Sequence, residues 1–113
     1  MPSLIVTAHT TAVEVAAERL DKKYKLTSLV LDNDAGAADR TIRIQDVFTP
    51  AVTNGVSSPT ETTVDRLRLD VLLGDVLSMN EDDLKGIECL GALKVIGDAI
   101  DASCHITVGY KPI

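Results

Sequence analysis

Aromatic residues are nearly missing from this chain: it has two Tyr, one Phe and no Trp, 3% of its residues. Sugar-binding modules present aromatic platforms and single-strand nucleic-acid binders stack bases on rings, so both classes lose their usual means of recognition. Cysteine is as scarce. Cys89 and Cys104 are the only two, which makes no disulfide framework, and two reduced, buried thiols are expected. Histidine is limited to His9 and His105. No C-x-x-C or H-x-x-x-H spacing exists, so zinc has no paired ligands and neither metal nor cofactor is expected. Long hydrophobic runs are absent too. The first residues, MPSLIVTAHTTAV, lack a basic region and hold only Leu4, Ile5 and Val6 before polar residues intervene. That excludes a signal peptide or spanning helix there and leads to the expectation of a cytoplasmic or virion-associated protein. Basic charge is in deficit, with 11 Lys and Arg against 17 Asp and Glu, a net charge of −6 and a pI near 4.7. Such a field repels phosphate backbones and anionic lipid, so neither nucleic acid nor membrane is expected as a partner.

What is present is aliphatic. Hydrophobic residues make up 45% of 113, so a single domain must build its core from Val, Leu, Ile and Ala. Strand patterns recur at SLIVTA near the start, at 24–31 (YKLTSLVL), 41–48 (TIRIQDVF), 64–73 (VDRLRLDVLL) and in the closing ASCHITVGY. In 64–73 the alternation predicts Leu67, Leu69, Val71 and Leu73 on one face and Arg66, Arg68 and Asp70 on the other, a sheet wet on one side. The same rule sends Ile42, Ile44 and Phe48 inward and Arg43 and Gln45 outward. In IDASCHITVGYKPI, residues 100–113, it predicts Ile100, Ala102, Cys104, Ile106, Val108 and Tyr110 inward and Asp101, Ser103, His105 and Thr107 outward. So regular a strand there is expected to close a sheet or dock on a neighbour.

The polar DNDAGAADR between 31 and 41 suits the tip of a long hairpin. Residues 10–20 read two ways: Thr11-x-x-Glu14 matches a capping box, whereas Val13, Val15 and Ala17 alternate as a strand, the reading preferred here. Asn80 followed by Glu81, Asp82 and Asp83 suits the start of one short helical turn over 80–86, and ALKVIG predicts a strand over 92–97. Residues 49–62, TPAVTNGVSSPTET, carry no sustained periodicity and form a long loop, either a contact surface or a plain surface loop. The fold class expected is all-β: one antiparallel sandwich over 1–113, with a jelly roll among its topologies.

Candidate chemistry is thin. Asp32, Asn33, Asp34 and Asp39 are hard oxygen ligands close together, yet the EF-hand pattern places Gly36 and Arg43 where its fifth and twelfth positions need oxygen donors, so a solvated turn is the favoured reading. Acids at a helix start account for Glu81 to Asp83. Cys104 falls on the inward phase, as a core residue rather than a nucleophile. Ser78 and Ser103 have no nucleophile elbow, and no Gly-rich phosphate loop occurs. No catalytic residue is assigned, and no enzyme is expected.

Taken together, DKKYKLTSLVLDND, the stretch RLRLDVLLGDVLSMNEDDLKGIECLGALKVIG and the closing DASCHITVGYKPI resemble small β-sandwich structural proteins of phages and phage-like elements. These run from an early x-Lys/Arg-x-Leu-x-x-x-x-Leu-x-Asn-like strand to a late ITVGYK-like one. The resemblance covers most of the chain apart from 49–62. It implies a virion decoration, capsid-associated or tail-associated subunit that works by self-association. A symmetric homo-oligomer is therefore expected, a trimer first, with other virion proteins as further partners. The rival reading is a small ligand-binding module that takes a cation at 32–39 or a peptide or glycan at 49–62.

Overall fold

Alternating aliphatic residues become nine strands in the computed structural model, which describes residues 3–19, 22–48 and 61–113. The expected contact loop at 49–62 thus lies outside the described residues except for its last two positions. The strands are β1 (Ser3–Ala8), β2 (Val13–Ala16), β3 (Tyr24–Asp32), β4 (Arg40–Phe48), β5 (Thr62–Val71), β6 (Val76–Met79), β7 (Glu88–Cys89), β8 (Ala92–Gly97) and β9 (Asp101–Pro112). All strand pairings are antiparallel. One sheet has the order β1-β9-β3-β6, with β7 also pairing β3; the other has β2-β8-β4-β5. With β7 set aside, the pairs β1–β9, β2–β8, β3–β6 and β4–β5 are successive segments of one long hairpin, and they alternate between the sheets. This is the strand order of a jelly roll, so the expected all-β sandwich is the fold.

The two sheets bury their aliphatic faces against each other. Leu26, Leu29, Leu31, Ile106 and Val108 from one sheet meet Ile42, Ile44, Leu93 and Val95 from the other, each at most 2% exposed. Full burial of one such side chain stabilises by roughly 1.5–3 kcal/mol, so this two-layer core carries the fold without aromatic bulk.

Strict alternation fails where one strand carries extra residues. Glu14 pairs Lys94 while Ala16 pairs Leu93, which turns both Val15 and Ala16 inward. Leu26 pairs Tyr110 while Ser28 pairs Gly109, which buries Thr27 beside Leu26. Ile44 pairs Leu67 while Gln45 pairs Asp65, so Arg66 is the extra residue of a bulge. A larger irregularity takes Thr7↔His105 to Ala8↔Asp101. It corrects the expected phase at the start of β9: Asp101 is buried, Ile100 is 66% exposed and Ala102 is exposed, while Cys104, Ile106 and Val108 stay inward as expected.

Three further segments refine the sequence reading. The 31–41 segment is not a hairpin tip, because β3 and β4 belong to opposite sheets and the loop crosses between them. Leu73 is not on the inner face of β5; that strand ends at Val71 and Leu73 lies in the following turn, 50% exposed. Over 10–20 the strand alternative holds for Val13–Ala16 only. At 80–86 the chain makes a single turn: Asn80 Oδ1 accepts from the Asp83 N–H at 3.0 Å, and Asp83 Oδ2 accepts from the Asn80 N–H at 3.1 Å, a reciprocal cap. Leu84 N–H reaches Asn80 O at 3.2 Å and Gly86 ends the turn at φ 88°, a conformation that favours glycine. The expected strand over 92–97 is β8.

Candidate functional site

Four places in the sandwich concentrate chemistry. At the end where β3 passes to β4, Asn33 is fully buried and its Nδ2 donates to Ala38 O (2.9 Å) and Val71 O (3.3 Å), which joins the crossing loop to the end of β5. Its Oδ1 lies against Gly36: a Cβ there would sit 1.7 Å from that oxygen, so the loop requires glycine. Asp101 closes the same end. Its Oδ2 accepts from the Ala37 N–H (3.0 Å) and from Arg40 Nε (3.1 Å), and its Oδ1 from the Ser103 N–H (3.0 Å). The Ala37 and Ser103 amides, with the Arg40 guanidinium, hold its carboxyl below the usual carboxylate range against the opposing effect of burial.

The acids singled out at 32–39 do not converge. Asp32 Oδ1 accepts from the Asp34 N–H (3.1 Å), Asp39 Oδ1 accepts from the Leu73 N–H (2.9 Å), and Asn33 faces inward. Among the described residues no three His, Cys, Asp or Glu side chains form a metal-binding group. The Asp32 carboxylate closes a local turn and that of Asp39 ties two loops together, which is structural work.

A depressed Asp101 pKa has a defined consequence for stability against pH. Its contribution is fully present above the unfolded value, 3.8, and is lost as pH falls through the lowered folded value. Asp101→Asn is therefore expected to be less stable than wild type at neutral pH, with the gap shrinking below about pH 4. Urea midpoints at several pH values read this directly, and a gap that stays constant into acid contradicts it.

The second place lies inside. Asp46 sits on β4 in phase with Ile42 and Ile44 and is fully buried. The β5 bulge turns Arg66 toward it, and Asp46 Oδ2 accepts from Arg66 Nε (3.0 Å) and Nη2 (2.6 Å) and from the Leu90 N–H (2.9 Å), while Oδ1 accepts from the Gly91 N–H (2.9 Å). Beside it, Cys89 has its thiol pushed up to about 12 by burial and then by the Asp46 charge. Cys104 is also raised by burial. Both cysteines are free and have no exposed surface, as expected from the sequence. Neither should react with a disulfide reagent in the native state at about pH 8, and both should react once the protein is unfolded. Rapid stoichiometric labelling of native protein contradicts that assignment.

The third place is the outer face of the second sheet, where Thr41, Arg43, Gln45, Arg68 and Asp98 border a shallow groove of about 340 Å³. The side chains of Thr41, Arg43, Gln45 and Arg68 are already engaged. Asp65 takes Gln45 Nε2 (3.0 Å) and Arg43 Nη1 (3.5 Å); Asp70 takes Thr41 Oγ1 (2.8 Å) and Arg68 Nη2 (3.5 Å). This is a solvated ladder of compensated charge, in which single ion pairs are worth about 0–1 kcal/mol. Likewise Glu81 is held below its ordinary pKa by a hydrogen bond from Lys25, with Lys111 adding its charge. His105 is exposed, as expected, and His9 Nδ1 accepts from the Thr11 N–H. Ser78 and Ser103 are exposed.

The fourth place is the margin formed by β5 and β6, the terminal strands on the same side of their two sheets. Here the sandwich is thinly closed. Leu67, Leu69, Leu77 and Met79 are only partly buried, and Leu72, Leu73 and Val76, around the β5–β6 turn, are 56%, 50% and 56% exposed. Apolar groups gathered this way on a small protein mark an interaction surface more often than single exposed leucines do. Residues 64–71 of this margin were legible as strand and β6 was not; that β5 is a terminal strand is a property of sheet order and left no local signal.

No family model, curated protein or solved structure matches this chain.

Proposed function

We propose that this protein is a structural subunit rather than an enzyme, and that it works by self-association in a phage-like virion, as a decoration or tail-associated component. The observation that carries the reading is the β5–β6 margin, where a half-closed apolar core coincides with a strand edge that has no partner strand among the described residues. Covering such an edge is what symmetric assembly of β proteins accomplishes. The jelly-roll order supports the virion context by analogy of fold, since capsid domains use it, as do lectins and cupins. The sequence resemblance to phage structural proteins points the same way, and a closed oligomer such as the expected trimer satisfies it. The test is mass in solution: light scattering behind size exclusion should report a defined oligomer of the 12.1 kDa chain. A monomer that persists at high concentration contradicts the proposal.

A further inference from the structure

We infer that β5 pairs with β5 of a second copy of this chain, antiparallel and centred on Leu69, to join two four-stranded sheets into one eight-stranded sheet. This rests on the self-association proposed above and names the surface that performs it.

The terminal strands of the two sheets are β1, β6, β2 and β5, with six, four, four and ten residues. β5 is the long one, it holds neither Pro nor Lys, and its bulge at Arg66 leaves the stretch Leu67–Val71 in regular pairing with β4. The bulge and the inward-turned Arg66 blunt the first half of that edge; along Leu67–Val71 no described strand pairs with the outer side of β5, and an edge of that kind is a template for another strand.

Register follows from faces and charge. Leu67, Leu69 and Val71 point inward, while Arg68 and Asp70 point outward with side chains 57% and 60% exposed. Opposite residues of an antiparallel pair share a face, so a two-fold axis must pass through a residue rather than between two neighbours. Centring it on Arg68 opposes Arg68 with its own copy, and centring it on Asp70 does the same for Asp70. Centring it on Leu67 places the bulged Arg66 in the ladder. Centring it on Leu69 sets Arg68 against the partner's Asp70 and Asp70 against the partner's Arg68 on the outer face. On the inner face it sets Leu69 against Leu69 and Leu67 against Val71. One register thus satisfies both faces, and it brings two partly buried leucines from each copy under cover at the margin shared with β6. The interface is isologous and so builds pairs of chains, a different count from the expected trimer.

Sedimentation equilibrium over a wide concentration range, on the wild type, Arg68→Asp, Asp70→Arg and the double swap, tests this. The wild type should reach twice the 12.1 kDa chain mass. Either single reversal turns two attractive cross-strand pairs into two repulsive ones and should weaken the dimer by about tenfold or more. The double swap restores opposite charges at every pair and should recover dimerisation. Circular dichroism of each variant should be unchanged, because both side chains are more than half exposed. An oligomer whose dissociation is the same in all four proteins overturns the β5 pairing while self-association stands. A trimer does likewise, and a wild type that stays monomeric throughout overturns both.

Discussion

A chain lacking residues 103–113 is expected to be insoluble or to aggregate, not to fold as a weaker version of the whole. β9 is an interior strand, paired on one side with β1 from Ser3↔Gly109 to Thr7↔His105 and on the other with β3 from Tyr24↔Pro112 to Asp32↔His105. Its removal strips both neighbours of their ladders and creates two new edges in the middle of a sheet. It also deletes Cys104, Ile106 and Val108, each with no exposed surface, and so uncovers the inner faces of β4 and β8. Single substitutions grade the effect. Ile106→Ala should cost on the order of 2–4 kcal/mol, Val108→Ala somewhat less, and Thr107→Ala, on the outer face, little. Soluble yield and circular dichroism of the truncated chain, beside urea unfolding of the point variants, give the result. A soluble, cooperatively unfolding truncation contradicts the interior placement of β9.

The middle of each long strand was legible in the sequence and its ends were not, while the short β6 and β7 carried no pattern long enough to read as strands. Ile42 and Ile44, Leu67 and Leu69, and Ile106 and Val108 keep a clean period of two, and each lands on the face that its phase assigns. Phase was lost where bulges insert residues: Val15 with Ala16, Leu26 with Thr27 and Arg66 with Leu67 are neighbours that both turn inward. A bulge depends on what the partner strand offers, which local periodicity does not encode. The 31–41 loop was misread for a similar reason, since its length and polarity suit a hairpin tip and a sheet-crossing connection alike. Deciding between them required Asn33, whose buried amide reaches Val71 on a strand 38 residues away. Asp46 did leave a signal: a carboxylate on the inward phase of an aliphatic strand demands donors. What the sequence could not show was that they would come from Arg66 and from the backbone at 90 and 91.

Asp46→Ala is expected to be among the most damaging substitutions on β4, with a loss of about 3–5 kcal/mol, the range seen when one partner of a buried ion pair is removed. The loss has two sources of unequal weight. The Arg66 side chain keeps 30% exposure and can turn toward water, so its stranded charge is the smaller part. The Leu90 and Gly91 amides have no such escape, and an orphaned buried donor costs about 1–3 kcal/mol. Arg66→Ala should therefore be milder than Asp46→Ala, because it leaves the carboxylate bound to both amides. Asp46→Asn should fall between wild type and Asp46→Ala, since it retains an acceptor oxygen but sets an amide N–H against a donor. Urea unfolding of the three variants establishes the order, and an Asp46→Ala protein within about 1 kcal/mol of wild type would remove the carboxylate from its structural role. A second readout comes from Cys89, next to the anchored turn. With Leu90 and Gly91 released, that thiol should become accessible to a disulfide reagent in folded Asp46→Ala, while Cys104, held between β1 and β3 on the far strand, should remain protected.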